Sequence, residues 1–529
     1  MENLFHAKSY KFEKTGVKFE CDDVKIKELF QRCEALAKEN IKQFGDVRVM
    51  QEGSNYRGVW LETQPMGGEM YASRDIEVAL NNHLIFMKNQ RRDGRLPGMI
   101  TYRMPMEGTA AHYDWMQGDF FTVSAFRMYY WIGKDERYLK CLYRTLKDFD
   151  EYLWAYRDSD GDGCLEIWCV WDTGDDNNTR LITRGIHPRE NGAFCGEEPP
   201  VDYGMLPFES AEYMAYSYSH RIILAEISRI LNNGEEQKWR DAAQAVRERV
   251  KEYLWDEDRK AVFDRDKNNE MMYTLTLENL KCMYHGLFTQ QMADDFIRYH
   301  LMNEEEFWTL LPLPNIAAND PLFFVDNELN NLSQENLELV NRTVGLESLH
   351  NSWSGAVEGL SVQRSLDALI RYGHFAEAAQ IGRKWLDMLS GVDKLVQQYN
   401  PKAEKQNPAG KDGYGPTILA ALEYITFLYG VDYVCDRLRW GAAKNGCNSE
   451  FVQQLFGSEY VLKHEDGIAR AFKDGKELFA VSEGVSVETD MDGKLLSLSG
   501  MEMGSVNVVL QVQGAEKRFT AVSNETVRF

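Results

Sequence analysis

The chain has 529 residues, 44% hydrophobic, 27% charged and 12% aromatic, a globular composition rich in Trp, Tyr and Phe. Its net charge of −23 argues against nucleic acid or an anionic membrane as a partner. No stretch reaches the roughly 20 apolar residues of a membrane span. The start MENLFHAKSY lacks an apolar secretory core, and nine scattered cysteines without a CxxC fit reduced thiols, so a cytoplasmic protein is expected. The histidines are dispersed, with no paired-ligand spacing, and neither a metal site nor a cofactor is expected.

In chain order, residues 8–20 alternate weakly and suggest a strand. Asp22 and Asp23 cap VKIKELFQRCEALAKENIKQF, an amphipathic helix by its three-to-four spacing. Residues 45–72 are irregular and aromatic. Ser73 and Asp75 open a helix to about residue 91, ended by QRRDGRLPG. Helices then come in pairs: 117–132 with 136–155 around GKD, and 210–231 with 235–254 around LNNG. The last of these carries Trp239, Ala242, Ala243, Val246, Val250 and Leu254 on one face. Further helices are expected at 276–286, 289–300, 336–346, 355–372, 375–390 and 416–429, with a last piece near 432–440.

Long loops at 45–72, 95–116, 156–209, 303–335 and 391–415 alternate with the short turns. Loops of that length in a compact domain are usually functional. Short turns at one end and long loops at the other suggest a closed ring of helical hairpins with a cleft at the loop end. An open helical solenoid is the alternative, but no 34- or 40-residue repeat is visible. After about residue 455 short alternating runs such as VSVETD and SVNVVLQV, separated by DG-type turns, signal hairpins. The division expected is 1–455 for the helical domain and 456–529 for a small antiparallel β appendage.

The stretch Asp158–Arg180, DSDGDGCLEIWCVWDTGDDNNTR, holds seven acidic residues and two tryptophans. Carboxylates are rarely buried unpaired, and Gly161, Gly163 and Gly174 break any long helix, so it reads as a loop system lining a wet cleft. Asp158, Asp160, Asp162 and Gly163 fit D-x-D-x-D-G, but the bidentate Glu of a calcium loop is missing, its position being Cys169. A metal-free Asx-rich turn is expected there.

The segment W-D-T-G-D-D-N-N-T-R at 171–180 resembles the acid motif of inverting (α/α)6-barrel glycosidases: trehalases, glycoside hydrolase family 63 and mannosylglycerate hydrolases. MYASRD at 70–75, QRRDGRLPG at 90–98, Gln117, YLWDED at 253–258, LPLPNIAANDPLF at 311–323, and NSWSGAVEGL at 351–360 follow in the same order. The resemblance covers about residues 45–430. It implies a mainly α (α/α)6 toroid and a glycoside hydrolase, inverting and exo-acting on a short α-linked glycoside, with Asp176 as general acid. Where relatives carry the base in E-x-Y-N-P, this chain has Q-Q-Y-N-P, placing Gln397 at the Glu position. Glu358, at the start of an expected inner helix, is the substitute base, ahead of Glu62 and Glu209; a helix-start carboxylate is also favoured by the helix dipole alone.

Substrate contacts are assigned to Trp60, Glu62, Arg74, Asp75, Gln117, Trp171, Asp172, Asp175, Arg180, Trp353, Gln397, Gln398 and Tyr414, each with a core, capping or ion-pair role as the alternative. Two other functions compete. A glycoside phosphorylase needs no protein base, because phosphate is itself the nucleophile. A carbohydrate-binding pseudoenzyme would keep the cleft without turnover. The partner expected is a small carbohydrate; sugar identity and oligomeric state are not encoded in any motif.

Overall fold

The structure, a computed structural model, describes residues 4–53, 56–102, 108–186, 207–325, 332–408 and 410–529. Cys195 and parts of all five long loops lie outside these residues. The described helices are α1 (Val24–Glu39), α2 (Gln64–Met70), α3 (Ile76–Lys88), α4 (Phe121–Trp131), α5 (Glu136–Tyr156), α6 (Thr179–Ile182), α7 (Ala211–Leu231), α8 (Glu236–Tyr253), α9 (Glu278–Tyr284), α10 (Gln290–Phe296), α11 (Gln334–Thr343), α12 (Gly359–Arg371), α13 (Phe375–Ser390) and α14 (Gly415–Tyr429). None of them is long and apolar enough to cross a membrane.

Two kinds of helix differ by burial. In α5 the buried residues Tyr138, Leu139, Leu142, Thr145, Leu146, Phe149, Tyr152 and Leu153 form one stripe, and α8 buries Trp239, Ala243, Val246 and Val250 while Ala242 sits at the edge. These are one-sided helices with a solvated back. By contrast every residue of α2 and α9 is buried, and α14 buries all but Glu423. Helices buried on all sides must be surrounded by protein. Packing contacts join an inner series of helices in sequence: α2 to α4, α4 to α7, α7 to α9, α9 to α12, α12 to α14, and α14 back to α2. The one-sided helices lie outside them, α5 and α8 on α7, and α1 and α13 on α14. Truncating a core residue of α14 such as Ile425 to Ala would cost about 2–5 kcal/mol.

The C-terminal strands begin at Val431, directly after α14. One sheet has seven strands in the order β1 (Gly16–Cys21), β13 (Ser449–Leu455), β14 (Ser458–Glu465), β15 (Ile468–Lys473), β16 (Lys476–Ser482), β19 (Ser505–Val512), β20 (Ala515–Val522). The other runs β11 (Val431–Val434), β12 (Arg437–Ala442), β17 (Val485–Asp490), β18 (Leu495–Gly500), β21 (Thr526–Arg528). Buried Phe451, Leu462 and Val481 of the first sheet and Trp440, Val487 and Leu498 of the second supply their core. β1 pairs antiparallel with β13, with Phe19 opposite Phe451, so the N-terminal segment belongs to the C-terminal sheet.

The helical piece expected near 432–440 is instead the hairpin β11–β12. Cys435 and Asp436 both have positive φ, 49° and 67°, and form its tight turn. V-D-Y-V buries alternate residues, the period of a strand and not of a helix. Small pairs lie within the long loops and helix connections: β2 (Ile41–Phe44) with β3 (Val47–Met50), β4 (Gly58–Trp60) with β5 (Met99–Tyr102) and β6 (Thr109–His112), β7 (Trp255–Asp256) with β8 (Ala261–Val262), and β9 (Val357–Glu358) with β10 (Gln398–Tyr399).

Candidate active site

The six helices of the inner series present their first turns to one place. Glu62 precedes α2, Gln117 precedes α4, Glu212 is in the first turn of α7, Glu278 opens α9, Glu358 is the N-cap residue of α12 and Tyr414 that of α14. Helix N-termini carry partial positive charge and unpaired N–H groups. That field tolerates a concentration of carboxylates that would otherwise repel one another.

The acidic segment is fixed to this end by its own side chains. Asp172 is fully buried, pairs with Arg157 at 2.5 Å, and accepts the N–H groups of Met116 and Trp168, each at 2.8 Å. Burial opposes its charge, but Arg157 and those N–H groups hold its carboxyl below the usual range. Gly174 has φ +77°, and a Cβ there would lie 1.9 Å from Glu62 Oε2. Only glycine allows this backbone to touch that carboxylate. Asp175 takes Lys281 Nζ at 2.9 Å, and the same ammonium binds Glu212 at 3.1 Å and the Thr173 carbonyl. Arg180 pairs with Asp264 and Glu278.

Asp176 is half-buried. Its carbonyl accepts the Trp353 N–H at 2.9 Å, Asn178 donates to the Trp353 carbonyl at 2.8 Å, and Thr179 N–H donates to Ser354 Oγ at 2.8 Å. The acidic segment is thus stitched to 352–354, a few residues before Glu358. Gly359 follows, and a Cβ on it would lie 2.0 Å from Thr417 Oγ1, so α12 and α14 meet closely beside Glu358.

Glu358 is fully buried and pairs across β9–β10 with Gln398, whose Nε2 donates to Glu358 Oε1 at 2.7 Å. Its Oε2 has no hydrogen-bond partner among the described residues. Burial pushes its carboxyl well above the ordinary value, and the charges of Asp175, Asp176 and Glu62 add to the shift against the Gln398 bond. Glu62 accepts Gln117 Nε2 at 3.0 Å and Arg364 at 3.1 Å; burial nevertheless raises its carboxyl to about 8. Gln117 holds φ +63°, a strained backbone for a non-glycine residue. Glu52, also pushed well up by burial, accepts Tyr414 Oη at 3.0 Å. Tyr56 donates to Gln397 Oε1 at 3.1 Å. Perturbed carboxyls in one cleft mark a functional centre.

A cavity of about 780 Å³ opens beside this cluster, with Tyr56, Ser352, Gln397, Gln398 and Tyr414 in its wall. That is the size of a small-ligand site. Gln398 and Tyr414 connect the wall to Glu358 and Glu52. Trp60 is half-buried, edge-on to Tyr56 with ring centres 5.4 Å apart, and Trp171 is half-buried, edge-on to Trp115 at 5.3 Å. Trp353 is 2% exposed, with its indole N–H unbonded among the described residues.

The structure therefore gathers Glu62, Gln117, Asp175, Asp176, Glu358, Gln397, Gln398 and Tyr414 at one end. It places Arg74 and Asp75 elsewhere: Arg74 pairs with Glu34 at 2.5 Å, and Asp75 caps α3 through Val78 N–H and pairs with Arg48. Asp172 and Arg180 serve buried ion pairs instead of facing the cavity. Glu209 stands apart, next to Glu166, Cys164 and Asp162. Glu52, Tyr56, Lys281 and Arg364 join the site without having been singled out in the sequence. Lys281 and Arg364 sit within otherwise buried helical faces, where an isolated cation is the available signal. The carboxylates of Asp175, Glu212 and Glu278 come close enough to hold a metal ion, but Lys281 and Arg180 already neutralise them.

A cleft lined by amides and tyrosines, beside a cluster of carboxyls at the helix N-termini, suits the chemistry of a glycosidase, and comparison places the chain in that class. Residues 69–415 match the mannosylglycerate hydrolase MGH1-like glycoside hydrolase domain, and the chain belongs to that family. Similar folds are the family 63 mannosylglycerate hydrolase from Thermus thermophilus solved with glucose (17% identity, 75% of this chain and 99% of that one, TM-score 0.57) and neutral trehalase from Saccharomyces cerevisiae (12%, 74% and 79%, TM-score 0.53). A sialidase structure matches 88% of this chain and 40% of its own at 13% identity, TM-score 0.63. No curated protein matches the chain by sequence.

Proposed function

We propose that this glycosidase is an inverting, exo-acting hydrolase of a short α-linked glycoside, built on an (α/α)6 toroid, with Asp176 as general acid and Glu358 as general base. The toroid reading is supported by the closed series of contacts from α2 round to α14 and back. The catalytic reading is carried by one observation: a buried carboxylate, Glu358, lies within electrostatic range of Asp176 and directly across from Gln398, the neighbour of the residue where relatives carry their base. Moving the carboxylate from one strand to its paired neighbour keeps it at the same end of the fold.

In this mechanism Asp176 protonates the leaving oxygen. Glu358 Oε2 accepts a proton from water on the opposite face of the sugar, and Gln398 holds Oε1. Inversion requires the two carboxyls roughly 6.5–9.5 Å apart, leaving room for that water. Glu62, Gln117, Gln397 and Tyr414 would bind hydroxyls, and the half-buried Trp60 and Trp171 would pack on sugar faces, while Trp353 stays in the core.

A second reading follows from Lys405 and Lys411, which also line this cavity. They suit an anionic aglycone such as glycerate, or phosphate as the attacking nucleophile. Sugar release from mannosylglycerate and a panel of α-linked disaccharides, with and without inorganic phosphate, separates these cases. Free sugar regardless of phosphate supports hydrolysis, sugar phosphate supports phosphorolysis, and binding without release supports a non-catalytic protein.

A further inference from the structure

The D-x-D-x-D-G loop ahead of the acid segment lacks a twelfth-position glutamate in sequence, yet the fold delivers two glutamates to it from the side. The backbone at Glu166 pairs antiparallel with that at Glu209, with Ile167 N–H bonded to the Phe208 carbonyl at 3.1 Å and Ser210 N–H to the Leu165 carbonyl at 2.9 Å. This sets the two glutamates directly opposite each other. Like charges so placed are destabilising unless something neutralises them. Ligand oxygens of Asp160, Glu166 and Glu209 all lie within 4.8 Å of one another, as do those of Asp158, Asp160 and Asp162. Two oxygens bound to one calcium ion at 2.3–2.6 Å are separated by no more than about 5 Å.

Asx-turn bonds within the loop, from Asp162 N–H to Asp160 and from Cys164 N–H to Asp162, account for part of the arrangement without an ion. They do not account for Glu209. Its side chain is fully buried, and the only donor found beside its carboxylate among the described residues is the weak Cys164 thiol. Glu166, equally buried, takes Ser159 N–H and Oγ on Oε1 and has the Trp168 indole as a further neutral donor. Arg249 bonds Asp162 at 2.7 Å. Arg265, whose backbone pairs with that of Glu209, turns its guanidinium to the carbonyls of Tyr253 and Asn269. Five carboxylates and one bonded arginine leave a large negative excess, and a buried carboxylate served by nothing stronger than a thiol is costly to fold.

We propose that Asp158, Asp160, Asp162, Glu166 and Glu209 form a calcium site that ties the start of the acid segment to the strand leading into α7. An all-oxygen, carboxylate-rich set on a glycine-bent loop suits Ca²⁺. Mg²⁺ demands a stricter octahedron and keeps most of its water. The ion replaces the turn-only role expected from the sequence: the missing loop glutamate is supplied through space by Glu209. This site lies outside the candidate catalytic cluster and stands whether or not the glycosidase mechanism is as proposed.

The test uses the full chain, stripped with chelator and titrated with CaCl₂ by calorimetry, with Tb³⁺ luminescence excited through Trp168 as a second readout. One ion should bind per chain, and millimolar Ca²⁺ should raise Tm by about 3 °C or more. Glu209→Gln and, on the exposed part of the loop, Asp160→Asn should each weaken binding by at least about tenfold while keeping the far-ultraviolet circular dichroism of the parent. No binding heat, no sensitised luminescence and an unchanged Tm in the stripped parent would overturn the site, leaving Glu209 as a buried neutral acid. So would Ca²⁺ binding that both substitutions leave intact.

Discussion

Glu358 and Gln398 face each other on paired strands, with the Gln398 amide donating to Glu358 Oε1 at 2.7 Å and Glu358 Oε2 unbonded among the described residues. The contact orients the carboxylate by one oxygen and leaves the other as an acceptor. The neighbouring Gln397 accepts from Tyr56 and cannot take a proton from water. On the proposed mechanism, the basic group in this chain has moved one strand across.

Asp176→Asn should abolish turnover of an unactivated glycoside while leaving Tm close to that of the parent. The half-buried side chain is replaced by a near-isostere that cannot donate the required proton. Full activity in the variant would remove Asp176 from the acid role.

Glu358→Gln should lower kcat by about 10²–10⁴, the usual contribution of one positioned acid–base group. Azide needs no deprotonation and should partly restore cleavage. If the residue serves only the N-terminus of α12, stability falls, kcat holds and azide changes nothing.

The pH dependence has a definite sign. A base works deprotonated, and burial raises the Glu358 carboxyl well above its ordinary 4.5. The acidic limb of kcat/KM should accordingly lie above the usual carboxylate range, activity rising as pH passes that higher value. A limb at the ordinary value would exclude Glu358 as the group responsible.

Stability has a separate pH signature. His220 is fully buried, 2.5 Å from Asp119 and 3.6 Å from Asp150; burial works against its charge, but the two aspartates lift its pKa to about 9. The folded value exceeds the unfolded value near 6.5, so the stabilisation is complete below 6.5 and is lost as pH rises through about 9. It amounts to about 3 kcal/mol. Denaturant melts of the parent should show this decline, whereas His220→Gln should start less stable and vary less over the same window.

Gly174→Ala should destabilise the protein by more than about 2 kcal/mol, since alanine resists φ +77° and its Cβ would collide with the Glu62 carboxylate. A denaturant midpoint equal to the parent's would show that the acid segment can shift away at no cost.

Much of this arrangement is legible in sequence because local patterns carry it. The three-to-four spacing of α5 and α8, the Asp23 and Asp75 caps, and the short turns between helix pairs are visible residue by residue. Glu358 is within reach as a carboxylate at a helix start. What escapes is made by distance. Glu209 meets the Asp158 loop only after folding, β1 finds its partner β13 at the far end of the chain, and Lys281 acquires meaning from Asp175 and Glu212. Arg74 and Asp75 mislead because an Arg–Asp pair looks alike in a cleft and at a helix cap. Their partners Glu34 and Arg48 decide between the two, and no local pattern names them.

The central claim, inversion by Asp176 and Glu358, is tested most directly by proton NMR of the anomeric signal during the first minutes of cleavage of an α-linked substrate found in the sugar-release panel. The account predicts that the β-anomer appears first and mutarotates to the equilibrium mixture, with the signal lost in Asp176→Asn and strongly slowed in Glu358→Gln. Initial release of the α-anomer, or a β-anomer formed at parental rate by Glu358→Gln, would contradict it.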